Sequence, residues 1–371
     1  MTFVKLLTAR LRAVVVVAGL VAGLVPRLVL GPLMFQAGCK NVGDTKPAAV
    51  VVARAEFHGW GAIALRNQAA EIVVVPAIGR VMAFRLRIGP QASSEGPFWS
   101  HPGIGAALAP DANGWINYGG DKAWPAPQSA WPAISGHGWP PPRTFDAGPY
   151  TTSNGGDGAS VQLVSPVDPA YGLRVRRTIA LDPSRPIMTI ETTYEKTQGA
   201  PVRVAVWSIT QLDAPDRLFV LLPQRSTFPN GYALRLPAAP RDLRADGGLL
   251  SLARDPTEKT MIGSDGDALL WMGGGIDLLI ENLAAGPADA SAGWPDGAHA
   301  QIYTSPGDAE GYVELELRGR LRDLRPGESA SMTVRYTLRG RVQSDLLAEA
   351  RAIFGATGAT TGAEAPAGTA P

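Results

Sequence analysis

Between Phe98 and Tyr150 the chain carries Trp99, Trp115, Trp124, Trp131 and Trp139 among many prolines and glycines. Inside that stretch runs Trp115-Ile116-Asn117-Tyr118-Gly119-Gly120-Asp121-Lys122-Ala123-Trp124-Pro125-Ala126-Pro127-Gln128. Indoles beside amide, phenol and charged groups have a definite chemistry: the flat ring packs on the C–H face of a sugar while its polar neighbours bind hydroxyls. A second reading is a satellite core, in which aromatic area packed on proline orders irregular chain. Both can hold at once. Strand parity adds further groups, because alternate residues of a strand share a face. In 202–211, Trp207 and Gln211 fall opposite Val202, Val204 and Val206; in 312–318, Tyr312, Glu314 and Glu316 fall together. The two glutamates read either as ligand-facing carboxylates or as a solvated strand face.

The elements that must position these groups are strands. Met82, Phe84, Leu86 and Ile88 alternate with Arg85 and Arg87; Leu173, Val175, Ile179 and Leu181 alternate with Arg174, Arg176 and Thr178; Met332, Val334, Tyr336 and Leu338 alternate with Thr333, Arg335 and Thr337. Period-two patterning of this kind predicts half-exposed strands, and shorter runs at 71–75, 186–194, 202–211, 269–271, 276–281, 300–304 and 312–318 extend it. No βαβ rhythm appears, so the fold class is all-β and antiparallel. Gly59-Trp60-Gly61-Ala62-Ile63-Ala64 satisfies a dinucleotide-binding pattern by letters, but no helix follows and the chain runs into a strand. One short helix is predicted over 343–354, capped by Ser344 and docking through Leu346, Leu347, Ala350 and Phe354.

Composition narrows the function classes. Thirty-four Lys and Arg balance 33 Asp and Glu, which leaves no field to hold nucleic acid. One cysteine and four scattered histidines give no ligand spacing, so neither metal nor cofactor is expected. Lys5, Arg10 and Arg12 precede an apolar run from Ala13 to Val25, the layout of an export signal. The run Gln36-Ala37-Gly38-Cys39 follows and resembles a bacterial lipobox, with Gln36 where an aliphatic residue is usual. Three arrangements fit: lipidation of Cys39, cleavage near Gly38, or an uncleaved signal anchor. Each places the folded part outside the cytoplasm, and two of them tie it to a membrane. The organisation read from sequence is a signal over 1–39, a linker over 40–54, one domain over 55–342, the helix over 343–354, and a disordered Ala/Thr/Gly/Pro tail over 355–371.

The Asn117–Gln128 block resembles the signature of a bacterial domain-of-unknown-function family, DUF4380, related to the galactose-mutarotase-like supersandwich. Gly79-Arg80-Val81-Met82 upstream agrees with it in order, as do Trp294-Pro295-Asp296-Gly297, Tyr312-Val313-Glu314-Leu315-Glu316 and Leu324-Arg325-Pro326-Gly327-Glu328 downstream. The likeness covers roughly 55–340. It implies an antiparallel supersandwich with a sugar-binding groove on a concave face, for which the ligand-facing set would be Arg80, Asn117, Tyr118, Asp121, Lys122, Trp124, Gln128, Trp207, Gln211, Trp294, Asp296 and Glu314. Mutarotation needs a base for the anomeric hydroxyl and an acid for the ring oxygen, normally Glu and His. The strand that would supply the His reads Val206-Trp207-Ser208-Ile209-Thr210-Gln211 and has none. His101, His137 and His299 are loop substitutes at best. The leading expectation is therefore a carbohydrate-binding module without catalysis. Its rivals are an epimerase or lyase-like enzyme using Glu314 or Glu281 with Asp121, Lys122 or a histidine such as His137, and a structural envelope protein.

Overall fold

The computed structural model describes residues 50–92, 95–155, 158–283, 293–307 and 311–361. The stretch read as an export signal, Cys39 and most of the stretch read as a linker lie outside the described residues, as do the residues after Thr361. In chain order the first strands are β1 Val51–Phe57, β2 Trp60–Arg66, β3 Ala70–Val75, β4 Arg80–Leu86, β5 Asp121–Ala126, β6 Thr151–Asn154, β7 Ser160–Val167, β8 Leu173–Leu181, β9 Ile187–Lys196 and β10 Val202–Asp213. They continue as β11 Arg217–Leu221, β12 Ala233–Leu234, β13 Arg241–Asp246, β14 Leu249–Ala253, β15 Thr260–Ser264, β16 Ala268–Gly273, β17 Ile276–Leu283, β18 Ala300–Thr304, β19 Tyr312–Arg318, β20 Arg322–Leu324 and β21 Ser329–Gly340. Helices are α1 Trp131–Ser135, α2 Arg143–Asp146 and α3 Leu346–Thr361.

These strands form two sheets. The first runs β1-β2-β3-β4-β5-β10-β19-β18-β15-β12, with β20 also on β10; the second runs β13-β14-β11-β16-β17-β21-β9-β8-β7-β6. Each strand pair is antiparallel. The main core lies between them, where Val161, Val175, Ile179 and Leu338 of the second sheet are fully buried with Leu65, Ile72, Val81 and Leu212 of the first. In β10 the Ser208 and Thr210 hydroxyls lie 3.3 and 3.2 Å from the Tyr336 hydroxyl of β21, so even-numbered residues face the opposite sheet. Period two then turns Trp207, Ile209 and Gln211 to the outer face of the first sheet.

Parity also explains one buried charge. Arg177 falls on the same face of β8 as Val175 and Ile179, inside the sandwich, where an unpaired cation would be costly. Its Nη2 pairs with Asp121 Oδ1, and its Nη1 donates to the carbonyls of Gly79 and Asp121, both at 3.2 Å. The other Asp121 oxygen accepts from Tyr336 Oη at 2.7 Å and Thr210 Oγ1 at 2.8 Å. Asp121 therefore belongs to the seam between the sheets, a correction to its expected place in a ligand groove.

Three boundaries differ from the sequence reading. β1 begins at Val51 within the stretch read as linker, because a hairpin at His58-Gly59, both with positive φ, lays it against β2. That hairpin holds the dinucleotide-like glycines, which open a strand and not a helix. α3 runs to Thr361, further than expected, and its cap is Asp345, whose Oδ1 accepts from the Leu347 and Ala348 amides at 2.9 and 3.1 Å. Of the expected docking residues, Ala350 and Phe354 pack on Phe219, Leu270 and Met272 with Leu346 and Leu347 beside them, and Ile353, which the sequence reading did not include, joins them. No helix among the described residues is long and apolar enough to cross a membrane.

Candidate functional site

The outer face of the first sheet collects a polar set from four adjacent strands, β5, β10, β19 and β18. Register places Gln211 opposite Glu314, Ile209 between Lys122 and Glu316, and Trp207 between Trp124 and Arg318. Gln301 and Tyr303 of β18 continue the row opposite Glu316 and Glu314. Lys122 is fully buried, its Nζ 3.3 Å from Glu314 Oε1 and 4.9 Å from the centre of the Trp124 ring. Burial pulls that ammonium below its usual value, while the Glu314 charge opposes the shift.

Glu316 sits deeper. Trp207 Nε1 donates to its Oε2 at 2.9 Å, and Arg318 Nη2 lies 3.7 Å from the same oxygen. Burial pushes the carboxyl up to about 8 against the pull of Arg318, with Glu314 adding to the rise, so Glu316 holds a proton near neutrality. Arg318 is covered as well: its guanidinium lies 4.4 Å from the Trp207 ring centre and donates to Gln301 and to Pro295 O.

The tryptophan-rich stretch folds over this floor as a roof. Asp146 of α2 is its main anchor, accepting from Arg80 Nη2 at 2.7 Å, Trp124 Nε1 at 2.9 Å and Trp115 Nε1 at 3.0 Å. Trp115, Trp124, Trp131, Trp139 and Trp207 meet with ring centres 5.0–6.5 Å apart, mostly edge to face. The indoles order the loop by packing together, but as an extension of the main core and not as a separate one; Trp124 and Trp207 are interior to it with 4% and 3% exposure. Neither presents an open stacking face.

Where the roof meets β19 a cavity of about 370 Å³ opens, lined by His101, Trp115, Asn117, Ser305 and Tyr312 among others. A second, of about 200 Å³, lies across Trp115 and Ile116, against Tyr118, Arg143 and Asp146. Beside the larger one Gln211 is fully buried, and neither its amide oxygen nor its amide nitrogen has a hydrogen-bond partner; Asn117 Oδ1 is likewise without one. Both amides lie close enough to act on the Tyr312 phenol, which burial and Glu314 hold in its neutral form, but neither Gln211 amide atom nor Asn117 Oδ1 meets it in hydrogen-bonding geometry.

The structure thus brings together Lys122, Glu314, Gln211, Asn117 and Trp207, with Tyr118 in the roof above Arg80, 5.6 Å from its guanidinium. It separates others. All of the hydrogen bonds of Arg80 go to Asp146 and to Gly119 O, so it is a roof anchor. Trp294 lies 4.1 Å from the His299 ring and 3.9 Å from the Arg320 guanidinium. Two groups that close to one ring centre cannot share a face, so both faces are taken. Asp296, beside Arg318 at 3.7 Å and Ser129 at 3.1 Å, marks the rim with half-buried Gln128. Glu281 pairs with Arg335 at 3.0 Å on the second sheet, and His137 is exposed in the loop after α1. Sequence reading missed Arg318, Gln301 and Tyr303, which the parity argument already contained, and Asp146, for which a non-periodic loop offers no signal.

No family model matches the sequence, and no curated protein matches it. Solved structures do. A candidate mutarotase from Salmonella typhimurium superposes with a TM-score of 0.50 at 10% identity, over 78% of this chain and 94% of that one. A galactose mutarotase-like protein from Lactobacillus casei matches at 0.47 and 10%, over 75% and 100%, and a galactose mutarotase related enzyme from Lactobacillus acidophilus at 0.47 and 9%, over 79% and 99%. The two-sheet antiparallel architecture is that of the galactose-mutarotase-like sandwich. At this identity the likeness is one of fold.

Proposed function

We propose that the outer face of the first sheet binds a carbohydrate, entered through the cavity between Asn117 and Tyr312, and that it does so without catalysis. One observation carries this reading: the buried Gln211 amide, unpartnered at both ends, stands in a row with Asn117, Lys122 and Glu314. A buried amide without partners costs free energy that a hydroxyl-rich ligand would return. A cavity of about 370 Å³ lies within the range of small-ligand sites. Stacking from Trp124 plays no part; recognition is by hydrogen bonds.

A base and an acid for mutarotation must stand on two sides of a sugar ring, whereas Lys122 and Glu314 are 3.3 Å apart and neutralise each other. The strand expected to supply a histidine has none, and the N–H of its Trp207 serves Glu316. A second reading keeps one observation in its favour: a titratable pair in hydrogen-bond reach next to a carboxyl that holds its proton near neutrality is also what an acid–base isomerase needs. Titrating the protein with free aldoses while following anomeric exchange by NMR in the same tubes separates the two. Saturable binding without faster exchange supports the binding module; accelerated exchange that is lost in Lys122→Met establishes the isomerase; neither response refutes both. The same reading places the domain outside the cytoplasm, held to a membrane by lipid on Cys39. Mass spectrometry of the mature N-terminus tests that, since an unmodified Cys39 in a membrane-free protein contradicts it.

A further inference from the structure

Five cations are buried among the described residues: Arg80, Lys122, Arg177, Lys196 and Arg318. Four have a carboxylate within 4 Å, namely Asp146, Glu314, Asp121 and Asp296 respectively. Lys196 has none. It closes β9 at 3% exposure, and burial alone draws its ammonium below the usual lysine value. An ammonium carries three donors. Here one is engaged, by Tyr171 O at 2.6 Å.

Two turns converge on this group. The β7–β8 turn is closed by Gly172 N donating to Asp168 O, and the chain after β9 returns through Thr197 N donating to Gly172 O. Gly172 and Gly199, both with positive φ, bracket the ammonium: a Cβ at the first would come within 3.0 Å of Lys196 Nζ, and one at the second within 3.7 Å. Both glycines and Lys196 line a cavity of about 550 Å³ whose other walls include Ala133, Ile134, Pro169, Ala170, Pro201 and Val202. Tyr171, whose carbonyl accepts from the ammonium, also lines it. None of the groups on the outer face of the first sheet contributes to this cavity.

We infer that the cavity around Lys196 is a second binding site, for an organic carboxylate with a small apolar body. A buried ammonium with two donors left asks for an anion, because burial without a counter-charge is costly. The side chains of Ala133, Ile134, Pro169, Ala170, Pro201 and Val202 offer hydrocarbon surface to the body of the ligand, while Gln198 and the turn backbone keep the rest of the wall polar and so limit that body to a small one. Nothing in this assignment depends on sugar binding at the other face.

Isothermal titration of the full-length protein in detergent, with sodium isobutyrate and separately with sodium phosphate at constant ionic strength, tests it. Saturable isobutyrate binding is expected, weakened at least tenfold both in Lys196→Met, which removes the charge, and in Ala133→Trp, which fills the cavity from its exposed wall and leaves the lysine in place. Lys196→Arg should retain most of the affinity. Absence of saturable binding, or affinity equal to that of the wild type in either weakening variant, overturns the site. Phosphate that binds as tightly as isobutyrate and is indifferent to Ala133→Trp overturns the assigned ligand class.

Discussion

Gln211→Met is the perturbation that bears most directly on the proposed site. Methionine matches glutamine in length and removes the two amide atoms that are buried without partners. Leaving a buried polar atom unsatisfied costs about 1–3 kcal/mol, whereas an apolar replacement of the same shape is neutral or stabilising. With partial relief of two such atoms the variant should gain about 1–3 kcal/mol. For a domain of this size that corresponds to a rise in Tm of about 2–6 °C. The same change removes the amide that the ligand would engage, so affinity should fall at least tenfold. Stability up and binding down is the signature of a residue kept for function. Thermal unfolding of both proteins, with an aldose titration of each, measures the pair of effects. If Gln211→Met instead lowers stability by more than about 1 kcal/mol, the amide has a partner, such as the Tyr312 phenol on which it acts, and the group is not an orphan.

Asp146→Ala strips the roof of its anchor and leaves Arg80 buried without a counter-charge, which should cost about 3–5 kcal/mol in urea unfolding and shift the tryptophan fluorescence of the cluster. Pairing it with Arg80→Met should recover more than half of that loss. Glu316 sets a pH dependence: its folded value of about 8 lies above the ordinary carboxylate value, so its contribution to stability is full below about pH 4.5 and is lost as pH rises toward 8. Glu316→Gln, which keeps an acceptor for Trp207, should flatten the stability profile across that window. His299 works in the opposite sense. Burial and Arg320 hold it down to about 4, so its contribution is present above about pH 6.5 and is lost as pH falls toward 4, a slope that His299→Gln should remove. Asp345→Ala should cost about 1 kcal/mol through the lost cap of α3, read from the urea midpoint, whereas Ser344→Ala should cost little.

How much of this was legible beforehand depends on the range of the forces involved. Strand parity is local: the alternation in Leu173–Leu181 and Ser329–Gly340 is written in neighbouring side chains, and the burial of both strands follows it residue by residue. The same rule aligned Tyr312, Glu314 and Glu316, and it placed Trp207 with Gln211. The α3 docking face was equally local, but its cap was not, because Ser344 and Asp345 offer the same chemistry one residue apart and only the helix geometry selects between them.

What the amino-acid order determined by itself is the all-β class, the strands and which side chains share a face, since these depend on backbone periodicity and on apolar burial along a few residues. Tertiary structure alone decided what those faces meet. Asp121 and Lys122 are adjacent in sequence, yet one pairs with Arg177 between the sheets and the other with Glu314 on the outer face, because successive residues of a strand point to opposite sides. Asp146 became the roof anchor, and Trp124 an interior ring, only when a loop without periodicity packed onto the floor. Lys196 gained its cavity from two turns that the chain brings together across 25 residues. Contacts made across such distances leave no local pattern to read, and they settle which polar groups are satisfied by the fold and which remain for a ligand.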